Sequence, residues 1–268
     1  MQKEVYVASA SHNLIESGDV KPCGRLKSHI ESYWYVITNV KLISPLEISI
    51  TSDGSFNIVM NLSLNRNAGP MKIYGISESR ISLTASGKTC LLGIKFLPGG
   101  ILSFMDIHAS DFKSNSFNLS DVIGARVNEL YERLMTADNI HDKILFLENY
   151  FIDLLNKNDR RVPPAIEQIK NTFNGNKFIT GDMISQLSCV CERQTRRLFS
   201  QYIGTGPKEF VRMLRIQNAI HLLAIKKHMD FKELALVTGH YDQSHFIKEF
   251  KKFTGITPLQ FKQKLSAK

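Results

Sequence analysis

The chain has 268 residues, 43% of them hydrophobic and 22% charged, with a formal net charge of +9. This composition excludes disordered and fibrous classes and leaves room for one large or two modest domains. The charge is unevenly placed: residues 1–161 hold 17 Lys and Arg against 17 Asp and Glu, whereas residues 162–268 hold 17 against 8, so the whole excess lies in the second part. A polyanion is therefore the first partner to consider for that part. No apolar run approaches the ~20 residues needed to cross a bilayer, and the N-terminus lacks the form of a signal peptide, which points to the cytoplasm and to no membrane partner. Cys23, Cys90, Cys189 and Cys191 fit neither a disulfide framework nor a zinc site, and read as reduced thiols.

From His29 to about Phe96 the pattern predicts short strands. Ser32–Thr38 is rich in Tyr, Trp, Val and Ile, and Leu46–Thr51 alternates apolar with polar residues. Asp53-Gly54 stands between that second strand and Phe56–Leu62 and predicts a hairpin, because glycine accepts positive φ in a tight turn. Lys72–Ile76, Arg80–Thr84 and Thr89–Phe96 continue the series, punctuated by Gly75, Gly87 and Pro98-Gly99-Gly100. A small barrel or sandwich is expected. Tyr33, Trp34 and Tyr35 are candidates for a ligand pocket, but alternation turns only one face inward and favours a plain core place for Trp34. His12, His29, His108 and His141 show no His-x-His spacing, so no metal and no cofactor are expected.

After Asp111 the period changes. Val122, Val127, Leu130 and Leu134, then Ile144, Leu147, Phe151, Leu154 and Leu155, are spaced for a helical hairpin over about 119–155. The polar, charged segment from Asn156 to Pro163-Pro164 is the best linker in the chain and divides an N-terminal domain, 1–158, from a helical one, 163–268.

The basic part repeats itself at an offset of 51: Phe199 aligns with Phe250, Gly204 with Gly255, Pro207 with Pro258 and Phe210 with Phe261. Each copy reads as a helix ended by a left-handed glycine, a following helix begun by proline, and two phenylalanines that pack at the corner. Before each corner lies helix-turn-helix grammar. In the second copy Phe231–Thr238 leads through Gly239 to Gln243–Phe253, and Ala235 leaves room for close helix contact. In the first, Thr180 caps a helix to Leu187, and Glu192–Tyr202 follows the turn at Ser188-Cys189-Val190.

Arg193, Arg196 and Arg197 fall on one outward face, an arrangement easier to explain when a polyanion neutralises it. Arginine also pairs with guanine O6 and N7 in the major groove. Gln194 lies on the same helix, and Gln243, Ser244, His245 and Lys248 form the polar face of the second such helix. Thr180, Arg212 and Arg215 are candidates for holding phosphates. Pro207 to about Ala224 forms a spacer helix ~27 Å long, suited to setting two reading helices in successive major grooves ~34 Å apart.

Residues from about 175 to 265 resemble the DNA-binding domain of AraC/XylS-type transcription regulators. The resemblance is carried by Ala235-x3-Gly239, Asp242-Gln243-Ser244-His245-Phe246, Phe250-Lys251-Lys252-Phe253-x-Gly255-Ile256-x-Pro258 and Phe261, with Arg215-Ile216-x2-Ala219-x2-Leu222-Leu223 as linker helix. It implies that Arg193, Gln194, Arg196, Arg197, Gln243, Ser244, His245 and Lys248 enter adjacent major grooves. Thr195, Cys189 and His240 depart from the pattern. His29 to Tyr35, Asp53-Gly54 and Leu92 to Gly100 resemble a cupin-like sensor domain of one branch of that family.

The fold class expected is α+β: a β-rich cupin-like barrel with a helical hairpin, then an all-α domain with two helix-turn-helix units. The function implied is binding without catalysis. The partners implied are double-stranded DNA, RNA polymerase, a small-molecule effector and a second copy in a homodimer. A DNA-tethered enzyme with chemistry in the barrel, or a nonspecific architectural binder, are the alternatives; the first needs a cluster of nucleophile and base that residues 1–150 do not offer.

Overall fold

The computed structural model describes residues 5–7, 15–38, 40–50, 54–63, 71–77, 81–157, 162–175, 192–226 and 229–266. Nine strands are described: β1 (Val5–Val7), β2 (Ile15–Val20), β3 (Ile30–Thr38), β4 (Leu42–Ile50), β5 (Asn57–Asn61), β6 (Lys72–Tyr74), β7 (Ile81–Gly87), β8 (Cys90–Phe96) and β9 (Ser116–Asn118). They form two antiparallel sheets, one in the order β1-β4-β7 and one in the order β2-β3-β8-β5-β6-β9. The β-rich expectation holds, but one turn does not. β4 and β5 belong to different sheets, so the two strands are not joined as a hairpin; of the predicted turn pair, Asp53 lies outside the described residues and Gly54 within them. Gly54 takes φ +84°, which itself favours glycine, and a Cβ there would also stand 2.6 Å from the ring of the distant Phe210. Strand β9 escaped the sequence pattern because three largely exposed residues carry no period.

Strict alternation along β3 divides its aromatic residues between two cores. Trp34 and Val36 point between the sheets into an apolar cluster with Ile48, Ile50, Val59, Ala85 and Leu91. Tyr33, with Tyr35 packed beside it, faces the helices and joins the larger cluster that holds Phe96, Phe104 and Phe151. The three neighbours therefore do not line one pocket. Burial and the nearby Glu148 push the Tyr33 phenol above its ordinary range. Trp34 is buried over Gly93, where a Cβ would lie 1.9 Å from its indole. Gly93→Ala should consequently cost about 1–3 kcal/mol through overpacking. Trp34 is the sole tryptophan, so its fluorescence in a denaturant titration reads the effect directly, and an unchanged midpoint would refute this packing.

The predicted helical hairpin is three helices: α1 (Leu119–Ile123), α2 (Arg126–Thr136) and α3 (Ile140–Lys157), with Gly124 at φ +65° breaking the first from the second. Pro164 starts α4 (Pro164–Gly175) in place of ending a helix, as its missing N–H permits. Then follow α5 (Glu192–Leu198), α6 (Pro207–Ile225), α7 (Phe231–Val237), α8 (Gln243–Thr254) and α9 (Pro258–Ser266). No helix among the described residues is long and apolar enough to cross a membrane.

One apolar cluster runs from the N-terminal strands through α3 and α4 to Phe210, Phe250 and Phe261. The seam between the β-rich part and the helical part is tight. Gly204 backs onto the Ala109 carbonyl, Gly99 onto Ile166, and Lys113 pairs with Glu209 at 2.9 Å. The Thr205 hydroxyl, together with Lys113, holds the Glu209 carboxyl down at about 2.

Lys170, fully buried, bonds Glu167 at 2.9 Å and His29 Nδ1 at 3.2 Å. An ammonium only donates, so His29 Nδ1 must accept and its ring must be neutral. Burial, with Lys170 beside it, lowers His29 from 6.5 to about 4. A histidine lowered on folding binds fewer protons than in the unfolded chain, so its stability is complete above pH 6.5 and is lost as pH falls toward 4. Unfolding midpoints measured from pH 7 to pH 4 should fall, and His29→Gln should flatten that slope; an equal slope in both proteins would remove His29 from the account.

Candidate nucleic-acid interface

The repeated motif folds twice in the same way. Gly204 and Gly255 take φ +92° and +78°, as left-handed caps require, and Pro207 and Pro258 each open the next helix. The paired phenylalanines meet edge to face, Phe199 with Phe210 at 5.7 Å between centroids and Phe250 with Phe261 at 5.6 Å. The copies differ at one point: α5 ends at Leu198, earlier than its spacing predicts, and Phe199–Ile203 continues as a π-helical turn. That turn packs on Ala109–Phe112 of the β-rich part. The first helix and turn of the first unit, with Thr180, Cys189 and Cys191, lie outside the described residues.

On α5 the polar side chains stand outward. Arg193, Gln194, Arg196 and Arg197 are exposed, while Thr195 and Phe199 turn inward. Arg196 bonds Glu192 at 2.7 Å one turn back, which relieves part of the like-charge repulsion expected of the three arginines. On α8 Gln243, Ser244, His245 and Lys248 are exposed, and Phe246, Glu249 and Phe250 are buried. The Asp242 side chain caps α8 by accepting the His245 N–H at 2.8 Å. Between α7 and α8, Gly239 at φ +77° makes the turn and Ala235 is buried, the geometry of a helix-turn-helix. α6, 19 residues long, stands between α5 and the second helix-turn-helix and spans about 28 Å.

Residues 184–264 match the profile of a helix-turn-helix domain. Residues 19–118 match a second profile, described as a domain of unknown function (DUF6597). Among curated relatives, an uncharacterized HTH-type transcriptional regulator of Haemophilus influenzae is 28% identical over 85 residues, covering 32% of this chain and 28% of that protein. The HTH-type transcriptional regulator ArgR of Pseudomonas aeruginosa is 31% identical over 80 residues, 30% of this chain and 24% of that protein. The chain thus spans about a quarter of the length of these two relatives. The probable transcription factor PqrA of Proteus vulgaris is 28% identical over 102 residues, 38% of this chain and 83% of that protein. Among solved structures, ToxT from Vibrio cholerae O395 aligns over 100% of both chains at 14% identity with a TM-score of 0.40.

In this helix-turn-helix domain two of the candidate phosphate holders have other attachments. Arg212 donates through Nε to Glu249 Oε1, tying α6 to α8. Arg215 packs against the turn, where a Cβ on Gly239 would stand 3.3 Å from its Nε. The sequence pattern also missed a buried polar cluster. His240 Nδ1 lies 2.8 Å from the Thr238 hydroxyl, and His240 Nε2 lies 3.1 Å from Glu249 Oε2. Burial lowers His240, Arg215 and His245 push the same way, and Glu249 opposes them. The signal available was His240 itself, a titratable residue where the family pattern has an aromatic one; its ring does pack edge to face on Phe246 at 5.2 Å.

Proposed function

We propose that this chain is a sequence-specific DNA-binding transcription regulator of the AraC/XylS type, acting by binding and not by catalysis. The observation that carries this reading is the duplicated unit. Two similar helices, α5 and α8, each present a solvent-facing set of base-reading residue types, and the basic excess of the chain lies in the part that contains them. Arg193, Arg197 and Gln243 act as base readers. Gln194, Arg196, Ser244, His245 and Lys248 complete the contact faces, and Thr180 and Arg215 are the candidates for contacts to the phosphate backbone. RNA polymerase and a second copy of the chain are the protein partners of this reading, and the cytoplasm is its place.

The β-rich part serves in this proposal as the sensor for a small molecule. Support comes from the inner face of the larger sheet, where Ser32, Lys95, Asn57 and Tyr74 stand in one row across four strands beside Trp34. Trp34 Nε1 and Asn57 Oδ1 are buried there without a hydrogen-bond partner, a donor and an acceptor suited to a polar effector.

The test is competition between a site selected from genomic fragments and bulk DNA. A regulator prefers its site by about 10³-fold or more. Equal binding to both would leave the architectural binder. Six to ten phosphate contacts predict a slope of log K against log salt of roughly −5 to −9, and a flat response would overturn the electrostatic argument.

A further inference from the structure

The two units do not use the same chemistry at equivalent positions. At the offset of 51 that relates them, Leu198 of α5 corresponds to Glu249 of α8. Leu198 is half-buried against the common apolar cluster. Glu249 is 5% exposed and gathers groups from three places: Arg212 of α6, His240 of the turn, and His245 of the outward face of α8 at 3.9 Å. The first unit shows that this fold accepts an apolar side chain here. Burying a carboxylate in its place gives little net stability, because desolvation offsets the attraction, and such pairs are better attested as devices that fix register.

We infer that Glu249 is a positioning residue of the second reading helix: its carboxylate, held by Arg212 with His240 beside it, sets the register of α8 on α6 and the placement of His245 at the outward surface. Arg212 acts through Glu249 and not on a phosphate. A leucine at 249 would bury comparable volume but could slide along α6, since apolar contact has no direction, whereas the guanidinium-to-carboxylate bond specifies one arrangement. This inference rests on the DNA-binding reading.

The experiment uses the full chain and three variants: Glu249→Gln, Glu249→Leu, and the double substitution Glu249→Leu with Arg212→Leu. Each is measured by thermal unfolding and by binding to a series of single base-pair substitutions across the selected site. The double variant should stay folded, with discrimination reduced about tenfold at base pairs read by the second unit and unchanged at those read by the first. Glu249→Gln, which keeps the shape but weakens the hold on Arg212, should show the same asymmetry to a smaller degree and serves if either leucine variant fails to fold. Discrimination unchanged in both halves, or lost equally in both, would overturn the positioning role. Absence of any base preference in the unsubstituted protein would instead overturn the DNA-binding reading itself.

Discussion

Phe210→Ala should lower stability by about 3–5 kcal/mol, the range for removing a fully buried aromatic side chain. Phe210 is 0% exposed and stands where three elements converge. It packs on Phe199 of the π-helical turn that follows α5, lies in the first turns of α6, and meets Gly54 of the β-rich part. A smaller side chain leaves a cavity that helix and crossover cannot both close. Gly54→Ala should destabilise as well, because its φ of +84° is strained for any L side chain and its Cβ would enter the Phe210 ring. The double variant separates contact from strain. With Phe210 reduced to alanine, the new Cβ at 54 has space, so the two losses should sum to less than their separate values by about 1 kcal/mol or more. Denaturant unfolding of the four proteins measures this, and strict additivity would mean that the two residues do not meet in solution.

Arg197→Ala should weaken binding to the selected site by about 1–3 kcal/mol, or five- to 150-fold, and relax preference at one base pair. Arg193→Ala should do the same at a neighbouring pair. Arg196→Ala should have a smaller effect, because its guanidinium already bonds Glu192 and is partly neutralised before DNA arrives. If any of the three contacts a phosphate instead, affinity drops evenly across sequences and the salt slope falls by about one. Titrating each variant against the base-substitution series at two salt concentrations distinguishes these outcomes. Arg197→Ala with both preference and affinity unaltered would remove α5 from the interface.

How far these features were readable in the chain depends on whether their cause is local. Alternation in β3, the glycine and proline of each repeated corner, and the outward set on α8 all follow from period and turn chemistry within about a dozen residues. The connection through Gly54 is not legible locally, for the opposite reason. A hairpin glycine and a glycine pressed by a distant ring have the same sequence signature, and only the partner 156 positions away tells them apart. The same holds for Lys170, whose buried ammonium is met by His29 and Glu167, and for Arg212, whose sequence neighbours do not reveal its bond to Glu249.

The sequence by itself determined that the charge belongs to the second part, that this part contains a duplicated helical unit, and which polar residues lie on the outward faces of its helices. These are properties of composition and period, which need no partner. Tertiary structure alone decided which polar groups stand exposed and which are already held within the protein. It also decided that the first unit packs on the β-rich part through Phe210, Gly204 and Glu209. Pairing and seam contacts join residues far apart in the chain, and their energies depend on distance in space, which no local pattern records.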